Sequence, residues 1–120
     1  IAYAKDEYDV ANVRLYVQDE YNKMPIEEWI ENPIKEVLQR YSGGGYSVEK
    51  KLYVKKPIPS GEIVSVKYKT LFINGYSRNI AFVYFTHNKR YYFFFVSNYG
   101  GDFKVNGFVE EILLPGIKLF

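Results

Sequence analysis

The reading of this chain turns on residues 63–96: IVSVKYKTLFI (63–73), NG (74–75), YSRNIAFVYFT (76–86), HNKR (87–90) and YYFFFV (91–96). An Asn-Gly pair between alternating apolar runs signals a two-residue type I′ turn, because both central residues of that turn need positive φ. With Asn74 and Gly75 at the tip, Ile73 pairs with Tyr76, Tyr68 with Ala81, Val66 with Val83 and Val64 with Phe85. A second two-residue bend at Asn88-Lys89 continues the ladder, so the stretch folds as an antiparallel meander.

That register sorts the side chains onto two faces. One carries Val64, Val66, Ala81, Val83, Phe85, Tyr92, Phe94 and Val96 and reads as the core face. The other carries Ser65, Lys67 and Lys69, then Ile80, Phe82 and Tyr84, then Tyr91, Phe93 and Phe95. Phe82 beside Phe95 and Tyr84 beside Phe93 form cross-strand aromatic pairs, worth about 0.5–1 kcal/mol each. A sheet that is apolar on both sides must cover the second one. One expected cover is the tail ILLPGIKLF (112–120) together with the third helix. The alternative makes this face a contact surface for a protein partner or a second copy, with Lys67, Lys69, Phe82, Tyr84, Tyr91, Phe93 and Phe95 as its residues. A ligand pocket is the third option.

Upstream of the meander the chain reads as helical over about residues 5–42. Val10, Val13, Val17, Tyr21 and Met24 recur at steps of three and four, which predicts a first helix at roughly 5–23, destined for the core face. Asp6, Glu7 and Asp9 suit its N-terminus. Pro25 fits the first position of a short second helix with Ile26, Trp29 and Ile30. Asn32-Pro33 reads as the N-cap and first position of a third, whose apolar side is Ile34, Val37, Leu38 and Tyr41. Gly43, Gly44 and Gly45 end it. Because these glycines follow a helix, they do not make a phosphate-binding loop.

A strand is expected at 46–56, with Val48, Leu52 and Val54 on one side. Lys50 interrupts that side, a feature of edge strands that resist aggregation. Pro57 and Pro59 place 57–61 in a connection. A last strand is expected from Phe103-Lys104-Val105 and Phe108-Val109 with a bulge at Asn106-Gly107, taking the meander to about residue 110 before the apolar tail 111–120. These elements predict a single α+β domain with helices on one face of a curved four- to five-stranded antiparallel sheet.

Composition narrows the chemistry. The 120 residues include 13 Tyr, 9 Phe and 1 Trp, an aromatic share of 19% that fits strands and interfaces. The absence of Cys excludes disulfides, thiolate metal sites and a cysteine nucleophile. His87 lies in a bend with no spacing that supplies a dyad or a metal set, so it reads as a solvated turn residue. Asp102, beside two glycines and near Tyr99, is the carboxylate that a proton-shuttling pocket would use. Lys50, Lys51, Lys55, Lys56, Lys67, Lys69 and Arg78 make one side basic, a pattern that also fits single-stranded nucleic acid. A net charge of +2 gives that reading little support. No cofactor or metal is expected. No apolar run approaches the ~18 residues of a membrane span. The chain opens Ile1-Ala2 rather than with Met, as a processed product would, so membrane association is expected only through segments outside it.

The helix at 5–23, the Asn32-Pro33 restart, the glycines 43–45 and the strands at 46–56, 62–73, 76–86 and 91–97 resemble the nuclear transport factor 2-like or cystatin-like cone. Within it, the closest likeness is to extracytoplasmic domains of conjugation and type IV secretion assembly proteins. That resemblance implies an assembly domain of the cell envelope. The absence of Cys, the lone turn His87 and the lack of a metal or phosphate motif point to a non-catalytic one, and the excess of Tyr and Phe to contact surface. The cone's enzymatic members imply the rival, an acid-base or ligand pocket inside it.

Overall fold

The computed structural model describes residues 10–19, 24–98 and 104–118. They form strand β1 (Val10–Asp19), helix α1 (Ile26–Trp29), helix α2 (Glu31–Ser42) and strands β2 (Ser47–Pro57), β3 (Ile63–Ile73), β4 (Tyr76–His87) and β5 (Arg90–Asn98). Helix α3 (Lys104–Phe108), a π-helical turn Val109–Leu113 and helix α4 (Leu114–Gly116) follow. The chain is α+β, with one antiparallel sheet in the order β1-β5-β4-β3-β2.

The meander takes the register expected of it. Asn74 and Gly75 both have positive φ, 51° and 84°, and Ile73 pairs with Tyr76. Asn88 and Lys89 do the same at 51° and 59°, with His87 opposite Arg90. Val66 faces Val83, Phe82 faces Phe95 and Tyr84 faces Phe93.

The first helix expected at 5–23 is instead a strand across residues 10–19; residues 5–9 and 20–23 lie outside the described residues. Val13, Leu15 and Val17 alternate with Arg14, Tyr16 and Gln18, and β-branched valines favour the pleated sheet. β1 lies antiparallel against β5, Val13 opposite Val96 and Tyr16 opposite Phe93. It thereby satisfies a β5 edge that the meander alone leaves bare.

The last strand expected around 103–109 is helical from Lys104, so the strands end at Asn98 rather than near 110. Val105, Phe108, Val109 and Ile112 recur at helical spacing, and Gly107 is tolerated inside the turn despite costing about 1 kcal/mol. Helix α2 begins at Glu31 with Ile30 before it in helical geometry, so Asn32-Pro33 sits inside the first turn rather than capping it. Pro25 occupies the cap position of α1, one place earlier than expected. At the other end Gly43 takes a φ of 71° and closes α2 as foreseen.

Helices cover both faces of the sheet, not one. The expected core face (Val64, Val66, Ala81, Val83, Phe85, Val96) packs under Val105, Phe108, Val109, Leu114 and Ile117 of the C-terminal segment. The aromatic face (Ile80, Phe82, Tyr84, Phe93, Phe95) packs under Ile30, Ile34, Val37 and Leu38. The third helix thus covers the face expected of it, whereas the tail covers the opposite one. β2 is an outer strand as expected, but a bulge between Val48 and Lys50 sets Val48 opposite Leu71 and Leu52 opposite Tyr68. Val48 therefore points to the other side of the sheet from Leu52 and Val54.

Candidate functional site

Of the seven residues expected to form an exposed contact surface, the five aromatics lie beneath α1 and α2, while Lys67 and Lys69 are half-buried. Phe82, Tyr84, Tyr91 and Phe93 are fully buried, and Phe95 nearly so. The five aromatics are core rather than contact surface, because the chain's own helical layer occupies the place given to a partner. Phe82 meets Phe93 edge-on at 5.5 Å and Phe95 at a tilt at 5.4 Å. Trp29 stacks on Tyr91 at 4.4 Å, and the Tyr91 hydroxyl donates to the carbonyl of Met24.

The short helix α1 is pinned through one carboxylate. Glu27 Oε2 accepts from Tyr84 at 2.8 Å, while Oε1 accepts from Tyr53 at 2.9 Å and Ser65 at 3.0 Å. Lys67 Nζ donates to Glu31 Oε1 at 2.6 Å and lies 5.8 Å from the ring centroids of both Tyr53 and Tyr84. Burial alone would raise the Glu27 pKa, but the hydrogen bonds from Tyr84, Tyr53 and Ser65 and the Lys67 charge outweigh it and hold the carboxyl below its usual value. Burial first, then the Glu27 bond and charge, raise the Tyr84 phenol. A carboxylate stabilised in its charged form by three donors is a poor base, and a phenol raised by burial is a poor acid. The cluster holds a helix to a sheet. Sequence patterning could not find it, because Glu27 sits far along the chain from all three hydroxyls.

Lys69 lies on the same strand face as Lys67. Burial, then Lys67, depress its pKa, with Glu31 acting the other way. A recess of about 380 Å³ touches Lys69 together with Lys51, Leu52, Tyr68, Thr70, Asn79, Ile80 and Asn106. Thr70 Oγ1 donates to Asn79 Oδ1 at 2.7 Å. The Tyr68 hydroxyl is buried with no hydrogen-bond partner among the described residues, and burial followed by the charge of Glu110 pushes its pKa up to about 12. Among the described residues no carboxylate or histidine lines the recess, so these residues offer no acid-base pair there. Asp102 and Tyr99 lie outside the described residues. His87 ends β4 half-buried, its Nδ1 4.0 Å from Glu62 Oε1, rather than standing in open solvent. Among the described residues no group of three or more His, Cys, Asp or Glu converges. No described helix is long and apolar enough to cross a membrane.

The outer strands differ in kind. β2 carries Lys50, Lys51, Lys55 and Lys56, ends on Pro57 and contains a bulge, three devices that discourage a further strand from pairing. Over residues 13–17 β1 carries a single charge, Arg14, and no Pro. On its C-terminal-helix side Val13, Leu15 and Val17 are 43%, 51% and 48% exposed. Among the described residues β1 has a neighbour on one side only. Beside Leu15 runs an apolar groove of about 330 Å³, walled by Tyr92 and Phe94 of β5 and by Ile112 and Leu113. The signal for this stripe was present as the alternation at 13, 15 and 17. It was masked because the same valines fit a helical period with Val10 and Tyr21.

Comparisons with protein-family models, curated proteins and solved structures find no match to this chain.

Proposed function

We propose that this protein is a non-catalytic assembly module that receives its partner as an added strand on β1. The observation that carries the reading is the contrast between its two sheet edges. Native sheets guard exposed edges with lysines, prolines and bulges, as β2 does. Past a bulge at its start, between Val10 and Asn12, β1 runs regular, β-branched and nearly uncharged over residues 13–17, and a strand so left offers its pairing groups to a partner. Three half-exposed aliphatic side chains on that strand, continuous with an apolar groove, would give the added strand side-chain contacts as well as main-chain hydrogen bonds.

The assembly role is also what the likeness to conjugation and type IV secretion domains implies, with an envelope location and a cystatin-like or nuclear transport factor 2-like cone as its finer form. The role moves from the aromatic face, which is core, to the sheet edge. Saturation of Glu27 by hydroxyl donors supports the non-catalytic part of the proposal.

The test is selection of extended peptides from a displayed random library against the immobilised protein, with binding mapped by backbone amide shifts. Binders are expected to perturb residues 13–17 and to be lost on Leu15→Lys, which gives β1 the guard that β2 already has. Binders that map to the recess at Tyr68, or no binders to a chain that is monomeric, would overturn the proposal.

A further inference from the structure

We infer that the strand added to β1 is β1 of a second copy of this chain, the two related by a two-fold axis through Leu15. The inference rests on the edge-strand reading above and names its partner. A strand that pairs antiparallel with its own copy must centre on one residue, and that choice fixes every cross-strand pair. Centring on Arg14 sets guanidinium against guanidinium, and like charges directly opposite destabilise a sheet. Centring on Tyr16 sets Val13 against Asp19. Centring on Val13 or Val17 shortens the overlap.

Centring on Leu15 matches every residue of the stripe. Val13 then faces Val17 of the second copy, Leu15 faces Leu15, and on the other side of the sheet Arg14 faces Tyr16. Aliphatic side chains meet aliphatic ones, and a cation meets an aromatic ring. A cation over a ring also occurs along one strand of this sheet, where Arg78 lies over Tyr76 of the same β4, 5.5 Å from its centroid. The regular overlap runs over residues 12–18 of both copies, inside the bulge between Val10 and Asn12, and brings together the half-exposed stripe that the C-terminal helices leave bare. Because the axis stands perpendicular to the sheet, the product is one continuous sheet with both C-terminal helical layers on the same side. The groove beside each Leu15 opens onto the seam. One strand edge is a small interface, so the dimer belongs at the weak, reversible end of the range.

The register can be read directly because the chain has no cysteine. Residues directly opposite in an antiparallel pair have Cα atoms about 4.5–5.5 Å apart, within the span a disulfide bridges. Leu15→Cys is therefore expected to cross-link to itself under mild oxidation. Val13→Cys should do so only when mixed with Val17→Cys. Sedimentation of the unmodified chain should show a concentration-dependent monomer–dimer equilibrium, lost in Leu15→Lys and weakened in Leu15→Thr, which keeps strand propensity. A chain that stays monomeric while library peptides still map to β1 overturns the second copy as partner and leaves the strand-acceptor reading standing. A monomer with no peptide on β1 overturns both. A dimer that survives Leu15→Lys, or self-linking of Val13→Cys, overturns the axis at Leu15.

Discussion

Replacing Phe82 by Ala tests whether the aromatic face is core. The ring is fully buried beneath α2 and touches two further rings, Phe93 and Phe95. Truncating a buried Phe removes its transfer free energy and leaves a cavity, at a cost of ~3–5 kcal/mol. Unfolding entropy near 60 °C is about 2.1 cal/mol/K per residue, so for 120 residues the unfolding midpoint should fall by about 12–20 °C. Phe72→Ala is the matched control: the same side chain on β3, 45% exposed, whose loss should cost no more than about 1 kcal/mol, or about 4 °C. The assay is thermal unfolding followed by circular dichroism and, for the enthalpy, calorimetry. A Phe82→Ala variant that melts within a few degrees of Phe72→Ala would refute the packing of α2 on this face. It would return Phe82, Phe93 and Phe95 to the contact surface first expected of them.

Substitutions at two further positions probe the sheet and its pinned helix. Glu27→Ala strips the acceptor from three hydroxyls and should destabilise by about 1–3 kcal/mol, with Glu27→Gln in between. Because the folded-state pKa of Glu27 lies below 4.5, its contribution is fully present above that pH and is lost as pH falls through the folded value. The midpoint difference between the native chain and Glu27→Gln should therefore shrink in acid, and a difference that does not change with pH would count against the cluster. Lys89→Gly relieves a non-glycine residue at a φ of 59° in the second hairpin and should raise the midpoint by roughly 2 °C, from ~0.5 kcal/mol net. A lower midpoint would refute the turn type.

The meander was legible because its information is local. Asn74-Gly75 admits few turns, the turn fixes the register, and the register fixes both faces. What covers those faces was not local. Residues 10–24 satisfy a helical period through Val10, Val13, Val17 and Tyr21 and a strand period through Val13, Leu15 and Val17. Only the bare edge of β5, far along the chain, decides between them. At 104–113, Asn106-Gly107 resembled a turn strongly enough to hide the helical spacing of Val105, Phe108, Val109 and Ile112. A helix at 10–24 would claim the core face and displace the tail to the aromatic one, which leaves a partner as the rival cover for residues that α1 and α2 bury. The proposed site was legible only as a contrast between edges, which needs the strand order that no single segment carries.

β4 lies under both helical layers, and from Asn79 to Phe85 no side chain is left for water. Its two covers stand on opposite sides of it in the chain, Ile30 to Ser42 before and Val105 to Ile117 after. Synthesis therefore delivers the strands with one blanket already made and the other still inside the ribosome. β1 must also wait through most of translation before β5 emerges to pair with it. During that interval the nascent sheet is wet on one face, with Val66, Val83 and Phe85 bare, and β1 is a loose, sticky ribbon. A nascent chain stalled before residues 104–117 is therefore expected to aggregate more readily than the released protein.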